Sequence, residues 1–271
     1  MAIFKKILRQ AKNFLIDLIL ILFFGLKKNT KLKEFTILTG SDSSHFNSLI
    51  NLLKTLEIHE SESKIKIVDL GMSKEEIDFI ENNFNFKIFP FDFDNYPDFV
   101  NTRDEFEKLG SYAWKPISIF NEYTTQDRDV IWLDAGCLVS KNLKLIKSII
   151  LKNGFYSPES SDDIQKWTHP KTLQALNADK NLLKRRNFSG GIVGFAKNNN
   201  NSEALLKNWY ENSLNNKIIS PEGSSRLNHR QDQAILSVLV HQHNLSRLTP
   251  RGHRLFGILR HKDNEEQQYL Q

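Results

Sequence analysis

A single cysteine, Cys137, stands among 271 residues, which excludes an internal disulfide framework and any cysteine-built zinc site. Phosphate-binding glycine loops are missing as well: neither G-x-x-x-x-G-K-[ST] nor G-x-G-x-x-G occurs. That removes the commonest nucleoside-triphosphate and dinucleotide sites. His169, His229, His241, His243, His253 and His261 are scattered without metal-ligand spacing. No zinc-finger or RNA-recognition motif appears, so nucleic acid is not an expected partner. No Pro/Gly/Ser-rich linker and no internal repeat divides the chain, and one mixed domain is expected.

What is present is a core-forming composition, 39% hydrophobic and 25% charged, with its positive charge at one end. Residues 1–33 carry Lys5, Lys6, Arg9, Lys12, Lys27, Lys28, Lys31 and Lys33 against Asp17 alone, a net +7 that leaves −2 of the total +5 for the remainder. A slightly acidic body does not suit a phosphate backbone. In "MAIFKKILRQAKNFLIDLILILFFGLKKNTK", Ile3, Phe4, Ile7, Leu8, Ala11, Phe14, Leu15, Leu18 and Leu22 recur at the helical period. Lys5, Lys6, Arg9 and Lys12 fall mostly on the other face, as in helices that lie on anionic membranes.

The apolar stretch from Phe14 to Leu26 reaches roughly 20 Å as a helix, short of the ~30 Å hydrocarbon core. Asp17 at mid-membrane would add as much as ~3 kcal/mol. A signal peptide or true span is one alternative, but no small-x-small cleavage site follows and "GLKKNTKLK" resumes the positive charge. A helix packed on the body or on a second subunit is another. The pattern favours residues 1–33 as a peripheral or monotopic anchor on the cytoplasmic face of an anionic membrane. A domain over 34–262 and a polar tail over 263–271 complete the expected organisation.

Beyond Lys33 the pattern alternates between β and α. "EFTILTG", "KIKIVDLG", "FKIFPFDF" and "DVIWLDAG" read as strands. "SSHFNSLINLLKTLEIH", "SKEEIDFIENNF" and "SYAWKPISIFNEY" read as helices, the second opened by a Ser73/Glu76 capping box. This alternation predicts a mostly parallel sheet with helices on both faces. "NFSGGIVGF" reads as a further apolar strand, with helices near 202–214 and 231–241.

Ligands of such sheets gather at the carboxyl ends of the strands. Thr39, Gly40, Ser41 and Asp42 end the first strand, where small polar residues either contact a base or ribose or cap a helix. Asp134 ends the fourth strand and either caps a turn or faces a ligand. Lys115 opens a helix, where a cation beside free N–H groups suits a diphosphate. Gly190 and Gly191 interrupt an apolar strand, which marks a packing bulge or the approach of a ligand. Asp232 and Gln233 open the "RQDQAIL" helix and either complement its dipole or reach for sugar hydroxyls.

Taken in order, "LTGSD", "YAWKP", "WLDAG", "FSGGIVGF", "RQDQAIL" and a late histidine resemble a nucleotide-sugar glycosyltransferase of the GT-A fold. The likeness is to the lipopolysaccharide-galactosyltransferase and glycogenin-like group and its bacterial relatives, over about residues 34–262. The resemblance implies an α/β sheet and transfer of a sugar from a nucleotide-diphosphate donor to a glycan or lipid-linked acceptor. Thr39, Gly40, Ser41, Asp42, Lys115, Asp134, Gly190 and Gly191 would bind the donor, and Asp232 would be catalytic. Trp167, His169 and Gln233 would bind the acceptor. It also implies Mn²⁺ or Mg²⁺ held by Asp134 and His261, but Gly136 stands where the Asp-x-Asp motif has its last aspartate. Two other classes stay open: an inactive GT-A-like partner that binds nucleotide or glycan, favoured by Gly136, and a sugar nucleotidyltransferase. The latter wants an Arg-containing glycine loop that "TGSDSSHF" lacks.

Overall fold

The computed structural model describes residues 35–103, 109–126, 128–248 and 254–260, with the single positions Ala11, Leu15, Leu18, Ile19 and Leu22. Apart from those five positions, the anchor expected over 1–33 lies outside the described residues, as do the polar tail and His261. Among those residues no helix is long and apolar enough to cross a membrane.

The strands are β1 (Phe35–Ser41), β2 (Lys64–Asp69), β3 (Lys87–Pro90), β4 (Asp129–Leu133), β5 (Leu138–Val139), β6 (Phe155–Tyr156), β7 (Glu159–Asp163), β8 (Arg186–Phe188), β9 (Ile192–Phe195) and β10 (Ile258–Leu259). Six of them form the central sheet in the order β3-β2-β1-β4-β9-β6. β3, β2, β1 and β4 run parallel, and β9 enters antiparallel between β4 and β6. Every residue of β1 and β4 is buried, as expected of strands covered on both faces. Side chains alternate between two cores: Phe35, Ile37, Ile131 and Leu133 join one, while Leu38, Val130 and Trp132 join the other.

Helices Phe46–His59 and Lys144–Asn153 belong to the first core, and Trp114–Thr125, Asn200–Ser213 and Gln231–Gln242 to the second. The Lys74–Asn83 helix opens with the reciprocal Ser73/Glu76 capping box that its sequence predicts. Two expected strands differ. "FKIFPFDF" shortens to β3, because a 3-10 turn begins at Phe93 just beyond Pro90.

"NFSGGIVGF" is two strands in two sheets, not one. β8 pairs with β7 in a separate ribbon, whereas β9 crosses the central sheet. Gly190 and Gly191 sit at the break, where the chain passes against two carboxylates.

Candidate active site

Asp134 follows the last residue of β4. Its backbone closes a turn, with the Cys137 N–H donating to its carbonyl at 2.9 Å, and its own N–H donates to Gly191 O at 2.9 Å. The carboxylate does not cap that turn. Its Oδ1 accepts the Trp132 Nε1–H at 2.6 Å and lies 3.1 Å from Lys115 Nζ. Trp132 can lie in that position because β1 has no side chain at Gly40, where a Cβ would meet Trp132 Cη2 at 3.1 Å.

Lys115 is in the first turn of its helix, and its ammonium sits between two acids, 3.3 Å from Asp232 Oδ2 on the far side. Exposure separates the partners: the Lys115 and Asp232 side chains are each 5% accessible, against 42% for Asp134. A buried ammonium needs such compensation. Burial works against the charged lysine, but Asp134 and Asp232 outweigh it and raise its pKa. Asp232 goes the other way. Burial, opposed by Lys115 and reinforced by Asp134, pushes its carboxyl up to about 6. Trp209 Nε1 donates to the Asp232 carbonyl at 2.9 Å and fixes its backbone, while Asp232 Oδ2 accepts no aligned hydrogen bond from the described residues.

The two glycines belong to this arrangement. A Cβ on Gly191 would stand 2.6 Å from Asp134 Oδ2. One on Gly190 would stand 2.9 Å from Asp232 Oδ2, 3.4 Å from Gln233 Cβ and 3.6 Å from Lys115 Nζ. At either place a side chain could enter only if a carboxylate moved aside, which accounts for glycine there without any appeal to turn conformation. Lys115, Asp134, Gly190, Gly191 and Asp232 are therefore brought together, with half-buried Gln233 beside them.

The end of β1 is arranged differently from the expected donor contacts. Thr39 is fully buried and shares the Phe35 and Ile37 face of the strand, opposite the face that carries Trp132. The expected geometry with Thr39, Lys115 and Asp134 on one side is corrected to Lys115 and Asp134 alone; strand alternation places Thr39 elsewhere. Ser41 is buried and donates to Asp42 O at 2.8 Å. Asp42 caps the Ser43–His45 turn through the Ser44 N–H at 3.1 Å and pairs with Arg103 at 2.8 Å. The His45 hydrogen bond first, then Ser44 and Arg103, hold its carboxyl well below the usual range despite burial.

Trp167 lies under the Arg230 guanidinium, 4.1 Å from its ring centroid, and donates to Asp162 Oδ2 at 3.3 Å. Arg230 immediately precedes the helix of Asp232. His169 is a cap: its Nδ1 accepts the Lys171 N–H at 3.3 Å, and its own N–H donates to His229 Nδ1 at 3.2 Å. His229 is itself fully buried, and its pKa is lowered to about 4 by that burial.

Sequence reasoning missed Tyr112, whose ring centroid lies 5.4 Å from Lys115 Nζ. Gly110, Ser111 and Tyr112 have φ of 53°, 49° and 64°, and Gln231, next to Asp232, has 38°. Left-handed non-glycine residues cost about 1–3 kcal/mol each and concentrate at functional sites. Side chains alone carry no sequence signal for this; Gly110 ahead of "SYAWK" was the only local hint.

Among the described residues, which do not include His261, the donor set for a divalent cation is incomplete. Such ions take about six oxygen ligands. Asp134 offers one carboxylate already engaged by Trp132 and Lys115, Gly136 offers none, and Asp232 is buried against Lys115. Among the described residues no group of three or more His, Cys, Asp and Glu could hold an ion.

No curated protein matches the sequence. A family described as "Protein of unknown function (DUF1647)" matches residues 15–119. Among solved structures, core-mannan synthase A from Aspergillus fumigatus, in a Mn/GDP form, aligns with a TM-score of 0.50 at 9% identity, over 76% of this chain and 69% of that one. The galactosyltransferase LgtC, in complex with donor and acceptor sugar analogues, has a TM-score of 0.49 at 18% identity, over 75% and 70%. Mouse xyloside xylosyltransferase 1 has 0.47 at 10%, over 78% and 82%. At such identities the likeness is one of fold, and it rests on the core-mannan synthase alignment: an α/β domain of GT-A type around a mostly parallel sheet.

Proposed function

We propose that the chain is a glycosyltransferase of hexosyl type, moving a sugar from a nucleotide-diphosphate donor to a glycan or lipid-linked acceptor at a membrane surface. One observation carries this reading: a buried Lys115 ammonium held between Asp134 and Asp232 at the carboxyl edge of a GT-A-type sheet. In the reaction the bond from the anomeric carbon to the diphosphate breaks, and negative charge develops on the leaving phosphate. Lys115, fixed before the reaction begins, stabilises that charge without reorganising. Asp232, with its carboxyl near 6, takes up the proton of the acceptor hydroxyl as that hydroxyl oxygen bonds to the anomeric carbon.

The membrane setting rests on the +7 charge and apolar face of residues 1–33. Gly136 favours a second reading, a partner that binds nucleotide or glycan without turnover. A panel of nucleotide sugars separates the two. The enzyme reading expects sugar release from at least one donor, lost in Asp232→Asn. Binding without release across the panel would establish the second reading, and absence of both would contradict each.

A further inference from the structure

Among the described residues, every carboxylate contact of the Lys115 ammonium is long. Its aligned hydrogen bond to Asp134 reaches Oδ2 at 3.5 Å, while Asp134 Oδ1 lies at 3.1 Å and Asp232 Oδ2 at 3.3 Å. Unhindered ammonium–carboxylate bonds close to about 2.7–2.9 Å. Asp134 has a nearer partner, the Trp132 indole, whose N–H its Oδ1 accepts at 2.6 Å. Strand alternation turns both residues toward the Trp114–Thr125 helix that carries Lys115. Trp132 is fully buried, and a buried indole N–H needs an acceptor. Its ring is closely packed: a Cβ at Gly40 would meet its Cη2 at 3.1 Å, and the Trp114 ring lies 5.7 Å away between centroids. Trp114 is itself tied down, donating from Nε1 to Leu109 O at 3.1 Å.

We infer that Trp132 is a positioning residue for the donor site: by holding Asp134 Oδ1 it keeps that carboxylate from closing on Lys115 and leaves the ammonium open to a diphosphate oxygen. The inference rests on the nucleotide-sugar reading above and deepens it. A phosphate oxygen approaching Lys115 competes with Asp134, the half-exposed partner, rather than with buried Asp232. When Lys115 turns to the phosphate, Asp134 keeps the indole N–H, so its carboxylate is not left without a donor. Gly40 gains a role by the same route. It admits the indole, and so acts on the diphosphate through Trp132 and Asp134 rather than by touching the ligand.

The test is calorimetric titration of the full chain with UDP and GDP, run on the parent, Trp132→Phe, Asp134→Ala and the double variant. Trp132→Phe keeps an aromatic ring and removes the N–H, so Asp134 turns to Lys115 and binding should weaken about tenfold, the worth of one charged hydrogen bond. Asp134→Ala removes the competing carboxylate and should tighten binding. In the double variant the tryptophan effect should vanish to within about twofold, because residues that act through one another are not additive. A packing role alone would weaken binding equally in both backgrounds. Gly40→Ala shifts the indole without removing it, and should weaken binding in the parent but not beside Asp134→Ala. That pair decides the matter if thermal unfolding shows that Trp132→Phe does not fold. Unchanged affinity in Trp132→Phe, equal weakening with and without Asp134, or weaker binding by Asp134→Ala would overturn the inference and leave the nucleotide-sugar reading standing. Absence of UDP and GDP binding by the parent would overturn that reading, and this inference with it.

Discussion

The Lys115 ammonium lies 3.3 Å from Asp232 Oδ2, both side chains 5% exposed, and Gly190 lies against the pair, where a Cβ would stand 2.9 Å from that oxygen and 3.6 Å from the ammonium. The lysine is thereby fixed by a partner that solvent does not screen. Truncating one member of a buried pair costs about 3–5 kcal/mol, because the other charge is left uncompensated. Lys115→Met should therefore lower stability by that order and abolish nucleoside-diphosphate binding. Thermal unfolding and calorimetry check the two effects separately. A variant as stable as the parent would show that the pair contributes little.

Asp232→Asn keeps the shape and removes the charge. Transfer should fall by about 10²–10⁴, the usual worth of a positioned base, and by more than donor affinity falls through loss of the Lys115 contact. Equal loss of donor affinity would make Asp232 part of the nucleotide pocket, and unchanged turnover would leave it a helix-start residue.

The Asp232 carboxyl, raised to about 6, also sets a pH dependence. As a base it must be ionised, so kcat/KM should fall below about pH 6 by one decade per unit, and the Asn variant should lack that limb. For stability the sign is opposite. A folded-state pKa above the unfolded value of 3.8 means that this group's contribution is fully present below 3.8 and lost as pH rises through about 6. Tm measured at pH 5 and pH 7 should therefore drop more in the parent than in the Asn variant.

Much of this was legible in the sequence and part was not. The parallel sheet followed from runs such as "TILTG" and "VIWL", because burial on both faces leaves an unmistakable apolar pattern. Lys115, Asp134 and Asp232 stood out as polar residues at element ends, where a sheet of this kind gathers ligands. The partition of "LTGSD" was not legible, since strand alternation and the Asp42 cap depend on register and on Arg103, 61 residues away. Nor was the split of "NFSGGIVGF", because two short strands around glycines look like one until the second sheet is known.

The glycines give a paired test. Gly191→Ala would put a Cβ 2.6 Å from Asp134 Oδ2, so activity should fall at least tenfold with little change in Tm, since a half-exposed carboxylate can move aside. Gly194→Ala would put one 2.2 Å from Ile150 Cδ1 in the core, where overpacking costs about 1–3 kcal/mol. That variant should lose stability first. The reverse pattern would contradict the placement of Gly191 at the site.

Residues 1–33 make a separate prediction. Full-length protein should bind anionic vesicles, losing them as salt rises, while a chain starting at Lys33 should not. Equal binding by both would rule out the anchor.

The central claim, that Lys115 between Asp134 and Asp232 is where the donor diphosphate binds, is tested most directly by a crystal structure with a bound nucleoside diphosphate. The account predicts a phosphate oxygen at charge-assisted hydrogen-bond distance from Lys115 Nζ, about 2.7–2.9 Å, with Asp134 displaced and Asp232 still in place. A diphosphate bound elsewhere, with both Lys115 contacts unchanged, would contradict it.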